Sequence, residues 1–220
     1  RERLIHEVKA PRRSGMFSGG LPPITLGLII VCVIFSLITE FSSPGKGNQF
    51  GQQIMSYFMF VDLEHYMENV DPGYSLKRLE LWRIFTPALL HGSPLHLIMN
   101  LFALSSLGRL AERIEGKWKY VAIILLCAIG SSLLQGFMPR NLWGSPNFVG
   151  ISGVVFGLFG YLAVKSRIDP RAGFYFPPDA YIMIGAIFVI GFMGVMNLAN
   201  MGHLGGLITG AILGLLWSRR

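Results

Sequence analysis

The chain has 220 residues, of which 52% are hydrophobic and 14% charged, with a formal net charge of +7 and a mean hydropathy of +0.51. Soluble domains carry about 25% charged residues, so an ordinary water-soluble fold is excluded and an integral membrane protein is indicated. The basic balance reads as membrane topology rather than a nucleic-acid surface, because the cations sit between apolar runs.

Residues 1–20 are basic, contain Gly and Ser, and carry Pro11. They read as a cytoplasmic leader or linker, with residues 21–220 forming one transmembrane domain. Apolar runs follow at about 22–41, 86–108, 120–138, 148–164, 180–197 and 201–217. Some reach the roughly 20 residues that cross a bilayer, and shorter ones are tolerated inside a bundle. The expectation is an all-α membrane protein with six transmembrane helices. No cleavable signal peptide is expected, since the first run follows a charged leader and outlasts a typical signal core.

Orientation follows from Lys and Arg placement. With a cytoplasmic N-terminus, fourteen of the nineteen cations fall on inner segments and five on outer ones: Lys46, Lys77, Arg78, Arg83 and Arg140. Both termini are then cytoplasmic. The two cysteines, Cys32 and Cys127, lie inside apolar runs and read as small buried hydrophobes, not a disulfide or metal pair.

Pro22-Pro23 opens the first run, where proline suits the first helical turn. The segment from Ser42 to Phe85 is long for a loop but contains Tyr57-Phe58-Met59-Phe60, Tyr66-Met67 and Leu81-Trp82. Such aromatic content predicts a long structured first loop lying in the membrane interface.

The second run contains His91, His96 and Asn100. Polar side chains in a membrane helix are costly and face the bundle interior. His96 and Asn100, four residues apart, share one helical face. His91 is expected well round the same helix, with a different task. No carboxylate or cysteine completes a ligand set, so neither metal nor cofactor is expected. The third run, with Ser131, Ser132 and Gln135, reads as scaffold.

The fourth run begins at Gly150-Ile151-Ser152-Gly153 and carries Gly153, Gly157 and Gly160. The sixth begins near Gly202-His203-Leu204-Gly205-Gly206 and carries Gly202, Gly206, Gly210 and Gly214 at four-residue intervals. Small residues allow close helix packing, and that alone would account for the glycines. A serine and a histidine heading two such helices also make a nucleophile and its base. The fifth run, with Gly185, Gly191, Gly194 and several methionines, is expected to be the most loosely packed and a moving element.

Alternating spans bring His91, His96, Asn100, Ser152 and His203 into the outer half of the bundle. Ser152 would attack and His203 would take its proton. His96, the Asn100 amide and the Ser152 N–H suit an oxyanion, helped by the helix dipole. None of the twelve Asp and Glu residues is expected at the depth of His203. A Ser–His dyad is therefore predicted, with the Phe156 ring orienting the imidazole. A transporter is disfavoured, because the polar residues stop in the outer half instead of lining a through-path.

These residues resemble the rhomboid intramembrane serine proteases, particularly the six-span bacterial type. The likeness covers residues 21–220 and is carried by Trp82-Arg83, His91/His96/Asn100, Glu112-Arg113 with Gly116, Gly150-Ile151-Ser152-Gly153, and His203 with Gly206 and Gly210. It implies Ser152 as nucleophile, His203 as base, His96 and Asn100 at the oxyanion with Gly150 beside it, and His91 as a structural residue nearby. It further implies cleavage of single-span membrane proteins near the outer bilayer surface, lateral access past the fifth span and the first loop, and a bacterial inner-membrane location. Some bacterial members carry tyrosine where this chain has Phe156, which keeps the ring but not the hydroxyl. The rival within the same resemblance is a non-catalytic rhomboid-like protein that binds membrane clients.

Overall fold

The computed structural model describes residues 19–41, 46–68, 71–169, 172–194 and 198–218. Most of the 1–20 leader therefore lies outside the described residues. The described residues form helices and turns without strands. In chain order these are α1 (Pro23–Ile38), α2 (Gln49–Phe58), α3 (Leu63–Met67), α4 (Tyr74–Lys77), α5 (Pro94–Glu115), α6 (Lys117–Phe137), α7 (Ser152–Ile168), α8 (Pro178–Phe192) and α9 (Asn200–Trp217). The six helices of 15 to 22 residues correspond one to one to the six apolar runs. By length and hydropathy alone, α6 is the one described helix sufficient to cross a membrane, while α1 and α8 are shorter apolar helices. The others mix glycines and polar groups into their apolar sequence, as helices that pack on one another do.

Local chemistry sets the helix ends. Pro23 occupies the first turn of α1, where its missing N–H is harmless. Gly116, at φ +73°, ends α5 and begins α6, so the two long helices reverse across a single residue. The start of α5 departs from the expectation for the second run. Residues 81–84 and 86–89 form short 3-10 turns, and α5 begins only at Pro94, where the Ser93 hydroxyl accepts the His96 N–H at 3.2 Å. Pro87 and Pro94 cannot donate to a continuing helix. His91 is consequently not round the face of a helix but in the segment preceding it. A smaller shift affects α8, which starts at Pro178 and so includes Asp179 in its first turn.

The first loop is structured. Arg83, buried, donates to the carbonyls of Ser56 (2.5 Å) and Met59 (2.9 Å) and to Glu80 (2.6 Å). The Trp82 indole donates to the Tyr57 carbonyl at 3.0 Å and stacks on the Tyr57 ring. Two adjacent residues thus fasten α2 to the segment leading into α5.

α7 is the central helix: every residue from Gly153 to Ala163 is buried. A side chain added at Gly206, Gly210 or Gly214 of α9 would collide with the carbonyl of Gly153, Gly157 or Tyr161. Both partners advance by four at each rung, so α7 and α9 run parallel with their backbones touching. Gly202 is different, facing Ser131 and Gln135 of α6 instead of α7. α5 also runs parallel to α7, for its start meets Gly150 while its end, Glu115, pairs with Lys165 at 3.0 Å. The N-termini of α5, α7 and α9 therefore gather at one end of the bundle.

Candidate active site

Three parallel helices bring their heads together, and each contributes polar groups. Ser152 is the first residue of α7, so its N–H has no partner within the helix and lies at the positive end of the dipole. His203 lies one turn into α9 and is 5% exposed. Its Nε2 stands 2.9 Å from the Ser152 Oγ. The glycine contacts below, Gly206 on Gly153 and Gly210 on Gly157, are what allow two helix backbones to come close enough for this bond.

The imidazole is packed by rings. Phe156, one turn beyond Ser152, lies parallel to it with centroids 4.4 Å apart and planes 11° apart. Phe188 of α8 meets Phe156 edge-on at 5.2 Å. Parallel overlap fixes the plane of the imidazole, and the hydrogen bond fixes its direction.

His96 and Asn100 share one face of α5 and converge on Gly150. A Cβ placed on Gly150 would lie 2.5 Å from His96 Cε1, 2.8 Å from His96 Nε2 and 3.4 Å from Asn100 Nδ2. Gly150 has φ +116°, a conformation side-chain-bearing residues rarely adopt, and its N–H donates to the Pro87 carbonyl at 3.0 Å. Glycine is thus required there twice, by backbone and by space. Asn100 is 6% exposed and its Nδ2 has no partner among the described residues, which leaves a buried donor facing the start of α7. Such a group is costly unless something occupies it.

His91 is buried beside this cluster, its ring 5.2 Å from His96 and its Nδ1 3.4 Å from the Ser36 hydroxyl of α1. It does not face Ser152 through any hydrogen bond described here. Gln135, read from sequence only as a feature of scaffold, has a definite task. Its Oε1 accepts the Gly202 N–H at 2.9 Å and its Nε2 donates to the Trp143 carbonyl at 3.1 Å. It thereby ties the head of α9 to α6 one residue before His203. The signal available was Ser131 and Gln135 four apart in an otherwise apolar run.

The family model for the Rhomboid domain matches residues 78–220, about two-thirds of the chain. The chain belongs to the rhomboid family. Its members are integral membrane proteins that act on membrane-protein substrates within the bilayer, and are generally intramembrane serine proteases, although non-catalytic members exist.

Proposed function

We propose that the protein is an intramembrane serine endopeptidase that cleaves single-span, membrane-anchored proteins near the outer side of the bilayer. The observation that carries the reading is the 2.9 Å bond between His203 Nε2 and Ser152 Oγ at the heads of two glycine-packed helices. In this reading Ser152 Oγ attacks the scissile carbonyl carbon while His203 Nε2 takes its proton. The C–N bond then breaks, and His203 returns the proton to the leaving amine. Water attacks the acyl-enzyme with His203 again as base, releasing the acid and restoring Ser152.

The developing oxyanion would be held by the Ser152 N–H, Asn100 Nδ2 and His96, in the space that Gly150 leaves open. The unpartnered Asn100 donor supports this assignment, since preorganised donors act on charge that exists only in the transition state. Phe156 would orient the base, and His91 would support His96 from behind. Gly153, Gly157, Gly206 and Gly210 set the approach of α7 to α9. No metal or cofactor enters the scheme, and chelators should leave the rate unchanged.

The cation distribution supports an inner-membrane protein with both termini cytoplasmic and the dyad toward the outer face. The six-span likeness supports a bacterial inner membrane as the location. The test is to reconstitute the protein in liposomes with a panel of single-span reporters, wild type beside Ser152→Ala. Cleavage lost in the variant supports the proposal. Reporters bound but never cut would instead make it a client-binding protein.

A further inference from the structure

Helix α8 is the most loosely seated of the long helices, with Gly191 its one buried residue among those described. Near its start Tyr181 meets Phe159 of α7 edge-on at 5.6 Å, and its contacts nearest the site lie toward its other end. A Cβ on Gly191 would collide with Asn200 Oδ1, so the α8 backbone rests directly on the residue that begins α9, three positions before His203. Beside this contact runs a chain of rings. Trp143 meets Phe192 edge-on at 5.1 Å, and Phe192 lies parallel to Phe188 at 6.1 Å. Phe188 in turn meets Phe156 at 5.2 Å and the His203 imidazole at 6.4 Å, with planes at 69° and 79°.

These angles divide the work of holding the imidazole. A parallel ring such as Phe156 fixes the plane of its neighbour but resists sliding within that plane only weakly. A ring standing at 79° to the imidazole blocks that slide. Phe188 stands at that angle, 6.4 Å from the imidazole, and it belongs to the most loosely seated helix.

Resting on the dyad reading above, we propose that Phe188 is a positioning residue for His203, so that alignment of the base depends on where α8 sits. With α8 seated, Phe188 keeps Nε2 directed at Ser152. When α8 moves outward, the imidazole loses its edge contact and can slide away from the serine. A chain entering past α8 restores alignment only if an apolar side chain of its own takes the vacated place. Correct filling of that place would then be a condition for cleavage, separate from binding.

The test uses the complete protein in detergent and a small fluorophosphonate that reaches Ser152 from water. Phe188→Leu should slow labelling of Ser152 by about tenfold or more, the scale expected when a reacting group is displaced by a fraction of an ångström. Phe188→Met, which keeps the bulk without a ring, should slow it similarly, and Phe188→Tyr, which keeps the ring, should restore it. Labelling of the Leu and Met variants at the wild-type rate would overturn the proposal. Slowing of Leu alone, with Met at the wild-type rate, would also overturn it by making bulk, not the ring edge, responsible. Equal slowing of all three, Tyr included, would overturn it because the ring would then not suffice. A wild-type protein with no Ser152 labelling would remove the dyad reading itself, a result distinct from these.

Discussion

The Phe156 ring lies parallel to the His203 imidazole at 4.4 Å, so the proposed base is oriented by an aromatic face. In the proposed scheme Ser152 and His203 are the two groups that move protons, and the residues around them serve geometry.

Ser152→Ala and His203→Ala should each abolish cleavage of membrane reporters while leaving a folded protein. The fold is held chiefly by the glycine contacts and apolar residues of α7 and α9, so losing the serine hydroxyl or the imidazole, which stacks on Phe156, should leave it standing. A fluorophosphonate should label Ser152 in wild type and not in His203→Ala. Equal labelling of the two would remove the general-base role, and cleavage by Ser152→Ala at the wild-type rate would remove the nucleophile.

Asn100→Ala tests the oxyanion assignment. Removing one such donor typically lowers kcat about 10²–10³-fold, or roughly 3–4 kcal/mol of transition-state stabilisation. Because the Nδ2 is buried and unpartnered in the resting protein, the same change should not lower the melting temperature. A rate loss accompanied by equal thermal destabilisation would point to a structural asparagine instead.

Much of this was legible in the chain, for reasons that differ from residue to residue. Ser152 and His203 stand at the heads of apolar runs beside glycines, and helix heads on alternate spans must fall at one end. The four-residue spacing of Gly206 and Gly210 required a backbone partner, which the structure supplies as Gly153 and Gly157. The start of α5 was misread because residues 86–93 are nearly as apolar as the helix they precede. Pro87 and the Ser93-Pro94 pair carried the correct boundary. The bond from Gly202 to Gln135 could not be read, since it joins two helices through one side chain and follows no periodicity.

The far ends of α5 and α7 hold a further feature that charge patterning alone would assign to solvent. Lys165 is buried, 2.9 Å from Asp169 and 3.0 Å from Glu115, and Glu115 also pairs with Lys119 at 2.6 Å. This cluster joins α5, α6 and α7 opposite the proposed site. Breaking a buried pair from one side typically costs about 3–5 kcal/mol, because a charge is left uncompensated. Lys165→Met should therefore lower the melting temperature clearly, while the residual folded protein still labels at Ser152. A Lys165→Met variant that melts like wild type would show that water reaches the cluster.

Gly206→Leu and Gly210→Leu should both destabilise the protein and abolish cleavage. Overpacking a core typically costs about 1–3 kcal/mol, occasionally more, and here the added atoms meet a backbone carbonyl that cannot rotate aside. The α7–α9 separation must grow, which also opens the Ser152–His203 bond. Gly185→Leu on α8, where an added Cβ meets nothing within 4 Å, is the matched control and should melt normally. Unchanged melting in the Gly206 and Gly210 variants would place their face toward lipid.

Access of substrate to Ser152 is the last expectation. A peptide bond is not hydrolysed in dry hydrocarbon, so water must reach the serine while the substrate arrives from lipid. Helix α8 is the proposed wall between them, and Ile187–Met196 is the stretch whose bulk should restrict passage; residues 195–197 lie outside the described residues. The structure narrows the stretch, because Val189, Ile190 and Met193 are exposed while Ile187, Phe188 and Phe192 turn inward. Phe188 is set apart by its contact with His203. Ile187→Ala and Phe192→Ala should each raise turnover of single-span reporters several-fold. Cysteines introduced to cross-link α8 to α5 should suppress it, and the native Cys32 and Cys127, both buried, should not interfere. Labelling of Ser152 by a small soluble probe should change far less in Ile187→Ala and in the cross-linked protein, where Phe188 keeps its ring neighbours, because the probe comes from the aqueous side. If the cross-linked protein cuts reporters as fast as the uncross-linked one, substrate passes elsewhere and α8 is only scaffold.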